Sequence, residues 1–111
     1  MSAGSLPTQF DVFPNPLKHQ RTAYPLIVVL QSPFAELANV RIVAPATRSQ
    51  NGSRVGGLLT PRFILDGQEY TLQTFQLTSV RITDLKNWVA NIGEARDRIT
   101  AALDHLFHDY S

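Results

Sequence analysis

Short runs of β-branched, aliphatic and aromatic residues, separated by prolines, glycines and polar stretches, fill most of the chain and predict a sheet. The sequence YPLIVVLQS at residues 24–32 is apolar without alternation, which indicates a central strand buried on both faces. A shorter strand at residues 10–13 ends at the sequence PNP. A second long strand, VRIVAP at residues 40–45, is expected to end at Pro45, because proline lacks the amide donor that a central ladder needs.

The turns predict how the second half of the sheet is built. Residues 46–60 carry three glycines, two serines and an asparagine, which is the strongest loop signal in the chain. Asp66-Gly67 separates two alternating runs and predicts a type I′ hairpin, since both positions of that turn need positive φ. A further strand at residues 78–83 gives a total of five or six.

The hydrophobic period changes near the C-terminus and predicts a helix. Asn91 with Glu94 three residues later is an N-capping pattern, so the helix is expected to start at Ile92. One apolar stripe then comprises Ile92, Ala95, Ile99, Ala102, Leu103, Leu106 and Tyr110, with Phe107 at its edge. Strands followed by one C-terminal helix predict an α+β fold, and so many hairpin-linked strands favour a small, partly closed, SH3-like antiparallel barrel.

Composition narrows the class of protein. The length of 111 residues predicts one domain, residues 9–111, after a flexible lead-in at residues 1–8. Hydrophobic residues make up 43% and charged residues 17%, which excludes disorder for the bulk of the chain. The net charge of +1 predicts no general attraction to nucleic acid. With no cysteine, no secretory signal and no membrane-spanning run, we expect a cytoplasmic protein.

The C-terminal sequence DHLFHDYS raises the question of a metal site. His105 and His108 are three residues apart, and Asp104 and Asp109 flank them. On a helical projection His108 lies with Asp104, whereas His105 lies with Asp109 around the corner. Zinc needs three or four convergent ligands, so we expect helix-end polar pairs and no metal.

A second group of candidate residues is basic. Arg48, Arg54 and Arg62 lie in or beside the glycine-rich segment, either as a solvated loop or as a phosphate or RNA contact. The P-loop, G-x-S-x-G and HExxH motifs are absent from the sequence, and His19 lies in a polar loop typical of an exposed histidine. The motifs therefore predict no catalytic residue and no cofactor.

Six segments, taken in order, resemble one known family. They are QFDVF, YPLIVVLQS, RIVAPA, LLTPRFILDGQEY, LTSVRI and RDRITAALDHLF, and they extend from Gln9 to about Phe107. Together they resemble the CcdB toxins of bacterial type II toxin–antitoxin systems. The resemblance implies a homodimer that binds the gyrase A protein of DNA gyrase and traps the cleavage complex with DNA, without enzymatic activity. It also implies a cognate antitoxin that wraps the toxin, binds DNA for both and represses their operon.

The resemblance also implies where the partners bind. Family members that poison gyrase end their helix with Trp-Gly-Ile after the residue that aligns with Phe107, and this chain has His108, Asp109 and Tyr110 there. We therefore expect the target-binding tip at residues 107–110. The residues expected to bind the antitoxin are Lys18, His19, Arg21 and Tyr24.

Two alternatives remain open from the sequence. One is an endoribonuclease of the related MazF type, for which Arg48 and Thr47 are the nearest candidates for the chemistry. The other is a CcdB homologue that binds an antitoxin and has lost gyrase poisoning.

Overall fold

The computed structural model describes residues 6–30, 39–49 and 59–108, with only the backbone of His108. Its elements are β1 (Asp11–Pro14), β2 (Leu26–Val29), β3 (Val40–Arg48), β4 (Arg62–Leu65), β5 (Gln68–Leu72), β6 (Thr78–Arg81), β7 (Ala90–Asn91) and α1 (Arg96–His108). All strand pairs are antiparallel, in the order β4-β5-β3-β2-β1-β7, and β6 pairs with the first half of β3. This nearly closed, barrel-like sheet followed by a helix confirms the predicted α+β fold.

The buried strand predicted within residues 24–32 is β2, and all four of its residues are buried. It lies between β1 and β3, so both of its edges are paired. Full pairing and burial on both faces explain why the run is apolar without alternation.

Strand β3 extends beyond the predicted end at Pro45 and continues to Arg48. Pro45 aligns with Ile27 of β2, and its carbonyl accepts a hydrogen bond from the Gln73 amide at 2.9 Å. In an antiparallel strand a residue's nitrogen and carbonyl point to the same side, so the missing donor of Pro45 faces β5 and β6. Strand β6 pairs only as far as Val43 and β5 pairs from Ala46. Proline therefore lies in the gap between two partner strands, and the prediction that it ends the strand was wrong.

Because β3 continues to Arg48, the predicted loop at residues 46–60 starts too early. Its first three residues belong to β3, and residues 50–58 lie outside the described part of the chain. The hairpin prediction is confirmed: β4 and β5 are joined by Asp66 at φ 50° and Gly67 at φ 78°. Both values lie in the left-handed region that a type I′ turn requires.

The helix begins at Arg96, four residues later than predicted, after a 3₁₀ turn at Gly93–Ala95. Ile92 remains attached to the sheet, because its amide donates to the Phe10 carbonyl at 2.9 Å. The side chain of Asn91 accepts a hydrogen bond from the Gly93 amide at 2.9 Å, but the N-cap position of the turn is Ile92. Asn91 thus supports the turn before α1 and is not the N-cap of the α-helix.

The predicted apolar stripe of the helix is confirmed as far as the structure describes it. Buried positions are Ile92, Ala95, Ile99 and Ala102, and half-buried ones are Leu103 and Leu106. Phe107, placed at the edge of the stripe, is 59% exposed. Tyr110 lies outside the described residues. The helix thus covers one face of the sheet with its first turns and leaves an aromatic ring at its end.

The sheet carries buried clusters on two sides. The larger, which includes the helix stripe, comprises Phe10, Val12, Leu26, Val28, Leu30, Ala44, Ala46, Phe63, Leu72, Ile92, Ala95 and Ile99. The smaller comprises Phe13, Ile27, Val29, Val43 and Leu85. Consecutive residues of β2 alternate between the clusters, as the pleat requires.

No helix of the described residues is long and apolar enough to cross a membrane.

A buried carboxylate fastens β7 to β1. Asp11, 3% exposed, accepts hydrogen bonds from the Thr8 amide at 2.8 Å, from Trp88 Nε1 at 3.0 Å and from Asn91 Nδ2 at 3.0 Å. These donors satisfy the oxygens of the carboxylate, which offsets the cost of removing the carboxylate from water. The two-residue strand β7 was not predicted, since so short a segment has no detectable period.

The division into a flexible lead-in at residues 1–8 and one domain at residues 9–111 stays a prediction.

Candidate functional site

The end of α1 lies beside an apolar depression on the surface. We call it the apolar groove, defined by Leu30, Ile42, Leu77, Leu103 and Phe107. Its volume is about 530 Å³, and Thr78 and Ser79 of β6 form its remaining wall. Phe107 projects from α1 at one side of the groove and is more than half exposed. An exposed aromatic ring next to an apolar groove is a typical anchor for a protein partner.

The other candidate region is the loop between β1 and β2, which folds around Asn15. The Asn15 side chain donates to the Tyr24 carbonyl at 3.0 Å and accepts from the Leu17 amide at 3.0 Å. The Arg21 guanidinium donates to the Asn15 carbonyl. Because Asn15 is only 3% exposed, these bonds hold both ends of the loop in place. The loop is therefore a defined surface.

Three of the residues predicted to bind an antitoxin lie on the outside of this loop. Lys18 and His19 belong to the 3₁₀ turn at Lys18–Gln20, and both are exposed, as is Arg21. Tyr24 lies at the base of the loop, where its hydroxyl accepts a hydrogen bond from Gln76 Nε2 at 3.3 Å. The structure thus brings the four residues into one segment.

Two cavities open on either side of this segment. The polar cavity, of about 580 Å³, is lined by the charged residue Arg48 and by uncharged residues that include Tyr24, Thr47 and Ser49. The small cavity, of about 240 Å³, is lined by the apolar residues Leu17, Ile27, Val43, Pro45 and Val80 and also by the amide residues Asn15, Gln20 and Gln76.

A family model described as "CcdB protein" matches residues 9–109. The chain belongs to the CcdB family. The match covers all seven strands and the helix, so it includes both candidate regions. Among curated proteins no sequence matches the chain. Family membership identifies it as the toxin of a toxin–antitoxin system, as the resemblance implied.

In this CcdB-family toxin the predicted target-binding tip is only partly described. Phe107 borders the apolar groove, and His108 is the last residue of α1. Asp109 and Tyr110 lie outside the described residues. The roles proposed for residues 107–110 therefore stay predictions.

The basic residues near the long loop do not form one patch in the structure. Arg62 and Thr47 both align with Thr71 of β5, whereas Arg48 aligns with Tyr70. Aligned residues share a face of the sheet and consecutive residues alternate, so the side chains of Arg48 and Arg62 start on opposite faces. Arg62 also pairs with Glu69 at 3.4 Å. Arg54 lies outside the described residues, and Arg48 alone of the three lines the polar cavity.

The predicted polar pairs at the helix end lie partly outside the described residues. Asp104 and His105 are exposed on α1, and neither the His108 side chain nor Asp109 is described. Within residues 6–30, 39–49 and 59–107, no group of three or more His, Cys, Asp or Glu side chains could hold a metal ion.

The sequence did not reveal the contribution of Arg48 to a cavity. Arg48 lies at the cavity because β3 continues past Pro45. The sequence pattern predicted that the strand ends at Pro45, and Arg48 was therefore assigned to the loop. The small cavity was missed for a related reason: its walls come from β2, β3, β6 and the Asn15 loop, and only the pairing of these strands brings them together.

Proposed function

We propose that this chain is a non-enzymatic inhibitor of DNA gyrase that acts as a cytoplasmic homodimer and traps the gyrase–DNA cleavage complex. A cognate antitoxin neutralises the toxin, and the two together repress their own operon, with DNA contacted through the antitoxin. The observation that carries this proposal is the family match over residues 9–109, which includes both the apolar helix end and the Asn15 loop.

The apolar groove supports target binding at the helix end. Inserting between two gyrase A proteins needs a projecting side chain that gains free energy when it leaves water, and an exposed Phe107 ring can supply it. His108 follows directly, in the position where gyrase-poisoning members have tryptophan. In our proposal, Phe107 is the main anchor and residues 108–110 contribute less than their counterparts do.

The Asn15 loop supports antitoxin binding. Lys18 and Arg21 add positive charge to an exposed, hydrogen-bonded segment, and the small cavity beside it has apolar walls. This combination complements a tail with acidic and apolar residues. The Asn15 loop leads into the Leu26 end of β2, whereas the apolar groove includes Leu30 just beyond the other end of that strand.

Expression in a gyrase-sensitive bacterial host tests the proposal. Induction should arrest growth and produce broken chromosomal DNA covalently bound to gyrase. A host whose gyrase A protein is resistant to CcdB is the matched control, and it should keep growing. Growth arrest of equal strength in both hosts, or no trapped complexes, would contradict gyrase as the target.

The endoribonuclease alternative has one observation in its favour: Thr47 and Arg48 line the same cavity. RNA hydrolysis also needs general acid–base groups, and none of the described residues that line this cavity is His, Asp or Glu. We therefore assign binding and not catalysis to the cavity. Incubation of the purified protein with single-stranded RNA separates the two, because cleavage that disappears in a Thr47→Ala, Arg48→Ala variant would establish the enzyme.

A homologue that has lost gyrase poisoning would differ from the proposed gyrase inhibitor only in its effect on growth. Such a protein would leave growth of the sensitive host unchanged and would still bind its antitoxin. The same expression experiment, followed by calorimetric titration with the antitoxin encoded beside the toxin gene, distinguishes it from the proposal.

A further inference from the structure

Strand β4 forms an open edge of the sheet. It stands at the end of the strand order, and among the described strands it pairs with β5 alone. The Leu72 amide donates to the Pro61 carbonyl at 2.9 Å, so Pro61 and, by alternation, Phe63 direct their backbone groups toward β5. Arg62 and Ile64 therefore direct their amides and carbonyls away from the sheet.

Space for a further strand lies beside this edge. A cavity of about 390 Å³, which we call the edge cavity, lies between β4 and the start of α1. Its lining residues are Arg62, Phe63, Ile64, Glu69, Glu94 and Arg98. Ile64, in the middle of the edge, is 62% exposed. An exposed β-branched residue on an open edge favours pairing with another strand, and native proteins usually block such edges.

One side chain blocks the edge of β4. Arg98 extends from α1 and donates from Nη2 to the Arg62 carbonyl at 2.9 Å. That carbonyl is one of the outward acceptors that an added strand would use, so the guanidinium competes directly with such a strand. Because the contact is exposed, its net contribution is small enough for a backbone donor to replace it.

The edge is complementary to a second copy of itself. In an antiparallel pair with Phe63 at the two-fold axis, Arg62 of each copy lies opposite Ile64 of the other, and these residues exchange backbone hydrogen bonds. No like charges lie opposite each other in this register. The edge cavity is lined by two arginines and two glutamates, so the region carries no net charge that would repel a second copy.

We infer that Arg98 blocks the open edge of the sheet, and that β4 pairs with β4 of a second copy when the guanidinium releases the Arg62 carbonyl. The inference goes beyond the proposed function, since β4 contributes no residue to the apolar groove or to the Asn15 loop. If the chain forms the proposed homodimer through another face, pairing at β4 joins homodimers into longer assemblies.

The test is sedimentation equilibrium of the purified full chain and its variants over a wide range of concentration. The unblocked variant is Glu94→Gln, Arg98→Met, in which the edge cavity stays neutral and methionine, a comparable helix former, offers no donor. The matched control is Glu94→Gln, Arg96→Met. It removes the same two charges from exposed positions, but Arg96 stands over the Phe10 ring and does not line the edge cavity.

We expect the unblocked variant to self-associate at least about tenfold more tightly than the unaltered chain or the control, because it gives up no hydrogen bond on pairing. Adding Ile64→Lys should abolish this gain, since the lysine then lies opposite Arg62 of the other copy. Unchanged urea midpoints verify that the variants are folded, as expected for exposed positions.

Engineered cysteines test the register, because the chain has no cysteine of its own. Two unblocked chains, one with Arg62→Cys and one with Ile64→Cys, are mixed and oxidised. Residues of a hydrogen-bonded pair have Cα atoms about 5.5 Å apart, which is within disulfide range. The mixed disulfide should therefore exceed either self-disulfide when the products are quantified by mass spectrometry.

Equal self-association of the unblocked variant and the matched control, or association that survives Ile64→Lys, would overturn the inference. Predominance of the Ile64→Cys self-disulfide would also overturn it, because that register places Arg62 opposite the hairpin turn and leaves Arg98 with no pairing to block. Neither experiment contains gyrase, so their outcomes are independent of the proposed poisoning.

Discussion

The apolar groove and the pair of cavities beside the Asn15 loop differ in chemistry, and the polar cavity of that pair lies at the opposite end of the β2–β3 ladder from the groove. The first is formed by aliphatic residues and an exposed phenylalanine at the end of a helix. The second combines an arginine, hydroxyls and amides with a small apolar cavity, beside a loop held by hydrogen bonds. One end can bind by burial of apolar area, and the other by charge and polar pairing. The two regions adjoin at Thr78 of β6, which borders both the apolar groove and the small cavity.

Their structural support differs as well. The apolar groove depends on how α1 packs, through Ile99 and Leu103, on the larger buried cluster. The polar cavity depends on the end of the β2–β3 ladder, and the small cavity depends in part on the Asn15 loop. The difference predicts which substitutions affect one end, the other or both.

The largest effect is expected from Ile99→Ala, which should remove both ends together. Ile99 is 1% exposed in the larger cluster, and a large-to-small change there costs about 2–5 kcal/mol in the free energy of unfolding. Urea denaturation measures the loss. Thr100→Ala, exposed on the same helix, should change stability by less than about 0.5 kcal/mol. A comparable cost for the two variants would show that α1 is not held by its stripe.

Phe107→Ala should disable the apolar end alone. The ring is 59% exposed, so the free energy of unfolding should change by less than about 0.5 kcal/mol. Loss of a central aromatic anchor costs about 2 kcal/mol or more of binding, which corresponds to roughly thirtyfold weaker gyrase binding. Surface plasmon resonance on an immobilised fragment of the gyrase A protein measures this. Unchanged affinity in a folded variant would exclude Phe107 as the anchor.

The double change His108→Trp, Asp109→Gly should strengthen the apolar end. It supplies an aromatic side chain and removes a carboxylate that is costly to desolvate in an interface. We expect about tenfold higher affinity for the gyrase fragment, measured in the same assay. If toxicity of the unaltered chain is already full and the double variant adds nothing, these two positions are not the altered determinants of target binding.

The smallest effect is expected from Lys18→Gln at the other end. Lys18 is exposed, so its contribution to binding an acidic antitoxin tail, measured by calorimetric titration, is screened and amounts to a factor of about two or three at low salt. The difference should vanish at about 0.5 M salt. Lys86→Gln, an exposed change outside the loop, is the control. An effect that persists at high salt would mean that Lys18 makes a desolvated contact.

The sequence predicted the framework of the apolar end well, because that end is built from local patterns. The stripe of α1 and the apolar run of β2 are periodic over enough residues to be recognised, and Asp66-Gly67 has a distinct turn chemistry. The helix start was misplaced by four residues, since Ile92 is held by a hydrogen bond to the Phe10 carbonyl that no local pattern records.

The polar and small cavities were not predictable in the same way. The sequence pattern indicates that a strand ends at Pro45. Proline is tolerated inside β3 because it lies in the gap between the partner strands β5 and β6. Once β3 is cut at Pro45, Thr47 and Arg48 fall into a loop and their cavity disappears. The loop residues Lys18, His19, Arg21 and Tyr24 were chosen from the family resemblance, and the cavities beside them emerged from strand pairing.

We propose that the chain traps gyrase on DNA through the end of α1. The most direct test incubates purified gyrase with supercoiled DNA and the unaltered chain, Phe107→Ala or Arg96→Gln, then digests protein and quantifies linear DNA. We predict linear DNA with the unaltered chain and with Arg96→Gln, and a loss of at least about tenfold with Phe107→Ala. No linear DNA above the gyrase-only background, or equal amounts with Phe107→Ala, would contradict the account.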